Sequence, residues 1–294
     1  MLRLVLPKGS LERATLELFA NADLAVTRSS EVDYRGSVAD PRISDVRILR
    51  PQEIPVYVAD GLFDLGITGR DWIEERSSHV LSLGQLRYSK STSDPIRVVL
   101  AVANSSAFES MDDLAAHPLP LRVSTEYPEL TRKAFEARGI SAEIELSYGA
   151  TEAKVPDIAD CVVEITETGR ALRASGLRII DTLLVSRTEL IANPHSAQDP
   201  VKRHAMEQIL TLLQGTLEAR DKVLVKLNVP ADRLGQVIEA LPALRAPTVS
   251  ELSGGGAYAV ETVVEKADIN TLIPALKDQG ATDILELALS KIVH

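Results

Sequence analysis

The sequence of 294 residues lacks the features that are typical of nucleic-acid-binding, disulfide-stabilised, membrane and secreted proteins. Aromatic residues make up only 4%, so aliphatic side chains must build the core, and a nucleic-acid-binding face with stacking aromatics is not expected. The single cysteine, Cys161, cannot form an internal disulfide, and its apolar surroundings in the sequence favour a buried core residue. No segment reaches the roughly 18 apolar residues of a membrane span, and the N-terminus lacks a secretory apolar region. We therefore expect a cytoplasmic protein.

Signatures of catalysis by the protein's own nucleophiles or metals are also scarce. The five histidines show no metal-ligand spacing, and the sequence contains no P-loop, no dinucleotide-binding glycine motif and no hydrolase serine motif. The formal net charge of −10 argues against a nucleic-acid partner. It does not exclude an anionic small molecule, because a local group of backbone N–H groups and a few basic side chains can outweigh a distant field.

Short apolar runs alternate with amphipathic segments along most of the chain, a pattern typical of parallel α/β layers. We predict two lobes with a cleft between them. Lobe I comprises residues 1–93 and 180–198, and lobe II comprises residues 94–179. The predicted crossing segments, which would act as hinges, lie near Leu86–Pro95 and Arg178–Arg187.

The pattern changes after Pro200. Residues 199–220 predict a long amphipathic linker helix, with Met206, Ile209 and Leu213 on one stripe. Residues 221–294 then follow the order βαββαβ, which predicts a small ferredoxin-like domain. Such units often bind small effectors, so we assign it a regulatory role by analogy of fold.

The stretch "EITETG" follows an apolar run and precedes a predicted helix. Thr166, Thr168 and Gly169 would direct backbone N–H groups at one point, and Arg170 would add charge, which suits a phosphate. Glu164, at the end of the strand, could accept hydrogen bonds from a ribose diol. The same residues also fit a simple helix cap beside a solvated carboxylate, and the spacing alone favours neither interpretation.

Three further turns have the same form. Lys8 lies in "LPKGSLERA", Gly66 and Gly69 lie in "DLGITGRD", and Thr125 and Glu126 lie in "STEYPELTR". Each places small, glycine or charged residues between a strand and a helix, where a ligand could approach the backbone. Each is also explained by a capping turn when it is considered by itself.

Taken together, the turns resemble those of the ATP phosphoribosyltransferase family in its long form, the first enzyme of histidine biosynthesis. The resemblance covers essentially the whole chain and rests on "LPKGSLERA", "ILRPQEIPVYVADGLFDLGITGRDWIEE", "RVSTEYPELTRKAF", "ADCVVEITETGRALRASGL" and the tail "RAPTVSEL…AVETVV…LKDQGATDIL". It implies a two-lobed catalytic unit like a periplasmic binding protein and a C-terminal ferredoxin-like domain that binds histidine as inhibitor. It also implies a Mg²⁺ requirement and dimers that assemble into hexamers.

The implied reaction agrees with the missing catalytic signatures. N1 of ATP attacks C1 of phosphoribosyl pyrophosphate and pyrophosphate leaves, so the nucleophile belongs to the substrate. The protein must position two polyanions and stabilise the leaving group. Mg²⁺ would be held largely by substrate oxygens and water, without a dedicated protein cage.

The resemblance also assigns individual residues to three sites. The substrate cleft comprises Lys8, Arg50, Gly66, Gly69, Thr125, Glu126, Tyr127 and Glu152. The phosphoribosyl pyrophosphate site comprises Glu164, Thr166, Glu167, Thr168, Gly169, Arg170 and Ala171. The effector histidine site comprises Asn228, Leu244, Thr248, Val263 and Asp283.

The chain departs from the family pattern in four places. Ser10 stands where many members have Arg, Glu164 replaces the commoner Asp, and the segment around Glu152 is one residue short. Glu167 lies inside the phosphate loop, and because a carboxylate would repel a phosphate, we predict that it points outward. The alternative function is a cytoplasmic two-lobed small-molecule-binding regulator without catalysis, which shares the hinge pattern.

Overall fold

The computed structural model describes residues 1–88, 95–242 and 246–294, which form two compact units, residues 1–210 and 211–294. In chain order, the elements up to the unit boundary are β1 (Leu2–Pro7), α1 (Glu12–Asn21), β2 (Val26–Thr27), β3 (Arg35–Val38), β4 (Ile43–Leu49), α2 (Ile54–Ala59), β5 (Leu65–Gly69), α3 (Arg70–Arg76), β6 (Leu81–Leu86), β7 (Ile96–Ala103), α4 (Met111–Ala115), β8 (Leu121–Thr125), α5 (Pro128–Glu136), β9 (Ala142–Leu146), β10 (Cys161–Thr166), α6 (Arg170–Ala174), β11 (Leu177–Ser186), β12 (Thr188–Ala192) and α7 (Pro200–Ala219), which crosses the boundary.

The first unit contains two sheets, and each forms the centre of one lobe. The first sheet has the strand order β2-β3-β4-β1-β5-β12-β6. Its central strand β1 is parallel to β4 and β5, and it is almost wholly apolar because both faces of such a sheet are covered. The predicted two-lobed α/β architecture is confirmed.

The second sheet has the strand order β11-β7-β10-β8-β9. Strand β8 is parallel to both β9 and β10, so the carboxyl ends of these strands meet at one edge. The ladder between β11 and β7 continues to the pair Ser186–Ile96, so β11 lies entirely in the second sheet. The chain therefore returns to the first sheet at Arg187. Residues 89–94 of the other predicted crossing segment lie outside the described residues.

The second unit contains β13 (Lys222–Pro230), α8 (Leu234–Ala240), β14 (Thr248–Glu251), β15 (Ala257–Glu265), α9 (Ile269–Asp278) and β16 (Thr282–Ala288). Its sheet has the order β14-β15-β13-β16, and every neighbouring pair is antiparallel. That order and the βαββαβ sequence define a ferredoxin-like domain, as predicted. Along β13, buried residues alternate with less buried ones, because only one face of the sheet packs against the domain's core.

Helix α7 matches the predicted long amphipathic segment. Met206, Ile209 and Leu213 of its apolar stripe are fully buried, whereas Leu217 is half-buried. Among the helices that the structure describes, none is both long and apolar enough to cross a bilayer.

Candidate active site

A cavity of about 310 Å³ lies between the two lobes of the first unit. Five residues predicted from the sequence line it: Gly69, Glu126, Tyr127, Thr166 and Glu167. The other lining residues are Ser10, Leu11, Pro51, Gln52, Asp71, Trp72, Leu86, Arg87, Tyr88, Pro95, Ile96, Ile165, Ser186, Arg187 and Thr188. The cavity thus lies at the carboxyl ends of β5, β8 and β10, where ligands bind in open α/β sheets.

Asp71 is the central polar residue of the cavity wall, and only 2% of it is exposed. Its carboxylate accepts hydrogen bonds from the Ser186 hydroxyl at 2.5 Å and from the Tyr127 hydroxyl at 2.9 Å. Burial raises the pKa of Asp71, and the two hydroxyl donors oppose that shift. Asp71 thereby joins α3 to two segments of the second lobe, the end of β11 and the turn before α5.

Asp71 was not predicted from the sequence, although Gly66 and Gly69 beside it were. In the sequence, Asp71 looks like an ordinary acidic residue in the first turn of a helix, where the helix dipole stabilises a negative charge. The signal that distinguishes it is its place immediately after a glycine-rich strand end, where a carboxylate can face a cleft.

The two glycines of β5 have different physical roles. A side chain at Gly69 would collide with the Asp71 carboxylate, so a glycine here lets that carboxylate take its place in the cavity wall. A Cβ atom at Gly66 would lie 2.8 Å from Val58 and 2.9 Å from Ile54, both of which belong to α2. Gly66 therefore allows α2 to pack on the sheet, and it does not line the cavity.

The turn after β8 contributes Glu126 and Tyr127 to the cavity wall. The Thr125 hydroxyl accepts a hydrogen bond from the backbone N–H of Tyr127 at 2.9 Å, and Thr125 is fully buried. This hydroxyl therefore stabilises the turn. Glu126 is half-buried and lines the cavity. Burial and the nearby Asp71 carboxylate hold the pKa of Tyr127 well above its ordinary value, so its hydroxyl stays protonated and donates.

The predicted phosphate loop follows β10. The Thr166 hydroxyl accepts the N–H of Gly169 at 2.7 Å, and the Thr168 hydroxyl accepts the N–H of Arg170 at 3.4 Å. Gly169 has a positive φ of 72°, which a side chain would strain. Helix α6 has only five residues, so its helix dipole is small. Arg170 and Ala171 at its start are exposed. The local bonds fit a cap, and the exposed N-terminus leaves room for a ligand.

Glu167 is half-buried and is one of the residues that line the cavity. The N–H of Gly169 donates to the Thr166 hydroxyl and closes the turn around it. That the Glu167 side chain points away from a bound phosphate stays a prediction.

Three carboxylates lie near one another beside this loop: Glu126, Glu152 and Glu164. Burial raises the pKa of Glu164 first, and the charges of Glu126 and Glu152 raise it further. The N–H of Ile165 donates to Glu164 at 2.9 Å, and the hydroxyl of Thr151 also stabilises its charged form. Within the described ranges, no group of three acidic, His or Cys side chains has the arrangement of a metal site.

The basic groups of the cavity differ from those predicted. Lys8 lies over the Tyr34 ring, 4.5 Å from its centroid, and 4.0 Å from Glu12, and it is not a lining residue. Arg50 is exposed and also lies outside the lining set. Arg87 and Arg187 line the cavity instead, and their signal in the sequence is their place in the two predicted crossing segments.

Two of the five predicted effector residues, Thr248 and Val263, line one cavity of the second unit. This cavity has a volume of about 250 Å³ and is also lined by Leu224, Ala246, Glu261, Thr262, Ile292 and His294. The Asn228 amide donates to the Asp283 carboxylate at 2.9 Å, so these two residues form a separate pair. Leu244 lies outside the described residues.

Comparison with known proteins identifies the family. The model of the ATP phosphoribosyltransferase family matches residues 50–215, and the model of the HisG C-terminal domain matches residues 219–291. An ATP phosphoribosyltransferase of Pelotomaculum thermopropionicum is 46% identical over 292 residues, covering 99% of each chain. One of Solibacter usitatus is 44% identical over 293 residues, covering 100% of this chain and 99% of the relative.

A solved structure agrees with these matches. It is the ATP phosphoribosyl transferase (HisG:HisZ) complex from Thermotoga maritima, with a TM-score of 0.63 and 27% identity, covering 74% of this chain and 99% of that chain. The full-length matches and the added C-terminal domain fit the long form of the enzyme. The chain therefore belongs to the ATP phosphoribosyltransferase family, whose members catalyse the first step of histidine biosynthesis.

Proposed function

We propose that the cavity between the lobes binds ATP and phosphoribosyl pyrophosphate and that 5-phosphoribosyl is transferred there to N1 of ATP with release of pyrophosphate. The observation that carries the proposal is the convergence of three turns on one cavity, after β5, β8 and β10. Such a site positions two substrates whose own atoms react, so it needs no protein nucleophile.

We assign the ribose phosphate to the turn after β10. Glu164 accepts hydrogen bonds from the ribose hydroxyls, and the backbone from Thr166 to Ala171 surrounds the 5′-phosphate with Arg170 as an added charge. This assignment is supported by the half-buried carboxylate of Glu164 and by the exposed start of α6. Glu167 lies on the cavity side, so it must turn away or face a cation when the phosphate binds.

We assign the nucleotide to the part of the wall formed by Gly69, Asp71, Glu126 and Tyr127. Arg87 and Arg187 supply positive charge near the substrates' phosphates. Lys8 and Arg50 are not among the residues that line the cavity, and neither are Glu152, Glu164 and Arg170. We therefore expect these residues to contact substrate when the lobes close further.

Mg²⁺ fits the donor set as a substrate-bound ion. Glu126, Glu152 and Glu164 offer oxygen ligands, and an ion that keeps phosphate oxygens and water needs only one or two such carboxylates. When bound, it would neutralise the leaving pyrophosphate.

We also propose a regulatory role for residues 221–294, with residues 199–220 as the linker helix. Histidine would bind at the ferredoxin-like domain and inhibit the reaction. Thr248 and Val263 at the 250 Å³ cavity are the best-placed of the predicted contacts. Assembly of dimers into hexamers and a cytoplasmic location stay predictions.

The test mixes purified protein with ATP, phosphoribosyl pyrophosphate and Mg²⁺, and measures pyrophosphate and the N1-linked adduct, with and without histidine. Arg170→Ala should raise the KM for phosphoribosyl pyrophosphate by about tenfold or more and leave that for ATP nearly unchanged, because a charge-assisted phosphate contact is lost. Arg132→Ala, an exposed arginine on α5, is the control. No turnover by the folded protein would refute the activity, and equal effects on both KM values would refute the loop assignment.

A further inference from the structure

The N-terminus of α5 is capped by a residue from the other lobe. Tyr127, at the N-cap position, makes no side-chain capping bond. The Glu75 carboxylate of α3 instead accepts the backbone N–H of Glu129 at 3.2 Å and that of Leu130 at 2.9 Å. The first N–H groups of a helix have no partners within the helix, so Glu75 satisfies two of them from outside.

Glu75 is built into this contact and is not a surface group. It is only 6% exposed, and burial raises the pKa of its carboxyl group while the two N–H donors oppose the shift. A buried carboxylate persists where backbone donors replace water, and the positive end of a helix adds to that stabilisation.

Other bonds join the same two helices. The Tyr127 hydroxyl donates to Asp71 at 2.9 Å, and the Lys133 ammonium donates to the Ser77 hydroxyl at 2.6 Å. The ring of Trp72 lies 4.5 Å from that of Tyr127 and packs against the core of the second lobe. We call this set of contacts the α3–α5 junction.

The junction lies directly behind the cavity wall. Asp71 and Trp72 at the start of α3, and Glu126 and Tyr127 before α5, all line the cavity. The hydrogen bonds that fix the first turn of α5 therefore also fix the turn that precedes it. Glu75 does so without touching the cavity, because it is absent from the lining residues.

We infer that Glu75 is a positioning residue for the transfer reaction, which caps α5 across the lobes and thereby holds Glu126 and Tyr127 at the substrate wall. The inference rests on the proposed function for its kinetic consequence. Its structural consequence is independent of activity, since Trp72 is the chain's only tryptophan and its fluorescence reports the junction directly.

The experiment compares the full-length protein with Glu75→Gln, Glu75→Asp and the control Glu74→Gln. Glutamine keeps one acceptor oxygen and places an NH2 group where the second oxygen stood, so at most one of the two capping bonds survives and the other N–H faces a donor. Glu74 lies on the same helix but pairs with Arg70 at the surface, so its variant keeps the cap. Acrylamide quenching of Trp72 and the KM and kcat for both substrates are measured, with circular dichroism to verify folding.

Glu75→Gln should expose Trp72 to acrylamide more than the control does. It should also raise the KM for ATP by about tenfold, because a displaced wall misaligns a bound substrate. Glu75→Asp should fall between the two, since it keeps the charge on a shorter side chain, and it replaces Glu75→Gln in the comparison if that variant does not fold. A loss of stability alone would lower the apparent kcat and leave KM unchanged.

Two results overturn the inference. One is a folded variant whose Trp72 quenching equals that of Glu74→Gln, and the other is increased quenching with unchanged KM values. If the unaltered protein itself shows no turnover, the proposed function fails, whereas the quenching comparison still decides whether Glu75 holds the junction.

Discussion

Gly66→Ala separates a packing role from a ligand role at a position that the sequence assigned to the substrate cleft. The added Cβ atom would lie 2.8 Å from Val58, 2.9 Å from Ile54 and 3.0 Å from Val5. All three neighbours are buried aliphatic carbons, and ordinary contacts between such atoms are about 3.5–4.0 Å long. The Val58, Ile54 and Val5 side chains, or the elements that carry them, must therefore shift to admit the methyl group.

The expected magnitude follows from these contacts. Overpacking a tight core costs about 1–3 kcal/mol. Replacing glycine by alanine also restricts the unfolded chain, which offsets about 0.4–1 kcal/mol where the backbone is unstrained. The net loss lies between about 0 and 2.6 kcal/mol, and its central value of about 1.3 kcal/mol lowers the melting temperature of a unit of this size by about 3–5 °C.

The assay is thermal unfolding together with the KM for ATP. Gly235→Ala is the control, because the same substitution there meets no atom within 4 Å and should leave stability unchanged or higher. The melting temperature should fall for Gly66→Ala, while the KM of the folded protein changes little. An unchanged melting temperature with a strongly raised KM would refute this reasoning and restore Gly66 as a position of close ligand approach.

Two further predictions concern buried carboxylates. The pKa of Glu164 is raised by burial and by its acidic neighbours, so its contribution to stability is present below its ordinary pKa and lost as pH rises through the raised value. The Glu164→Gln variant should therefore be at least as stable as the unaltered protein at neutral pH. It should bind phosphoribosyl pyrophosphate more weakly, and the acid-side pH dependence of that binding should disappear. If binding by the variant keeps this pH dependence, Glu164 is not its source. Burial alone would raise the pKa of Asp64, but hydrogen bonds from Lys202 at 2.8 Å and Ser196 at 2.6 Å lower it, so its contribution is present above its ordinary pKa and lost as pH falls through the lowered value. Asp64→Asn should cost about 1–3 kcal/mol at neutral pH and less in acid, as measured by denaturant unfolding, and a loss independent of pH would contradict the ionic role.

Local patterns predicted much of the fold, because they depend on residues close in sequence. The alternating burial along β13 has a period of two residues, and the buried stripe of α7 has a period near 3.6 residues. Both periods are visible in the amino-acid sequence, so both elements could be predicted from it. Turns after strands predicted where the cleft lies, since the carboxyl ends of parallel strands such as β8 and β10 meet at one edge.

The same local evidence did not distinguish residues whose surroundings depend on distant partners. Gly66 and Gly69 are indistinguishable in a strand of five residues, and only the position of α2 and of Asp71 separates them. Lys8 lies in a ligand-like turn, but its side chain is held beside Tyr34 and Glu12.

The sequence by itself therefore determined the family, the two-lobed architecture with its C-terminal domain, and the turns that form the cavity. Only the tertiary structure decided that Asp71 joins distant segments, that Glu167 is among the residues lining the cavity, and that Glu75 caps a helix of the other lobe. The physical reason is that hydrogen bonds between Glu75 and Leu130, or between Asp71 and Ser186, span 55 and 115 residues, and no local pattern encodes such partners.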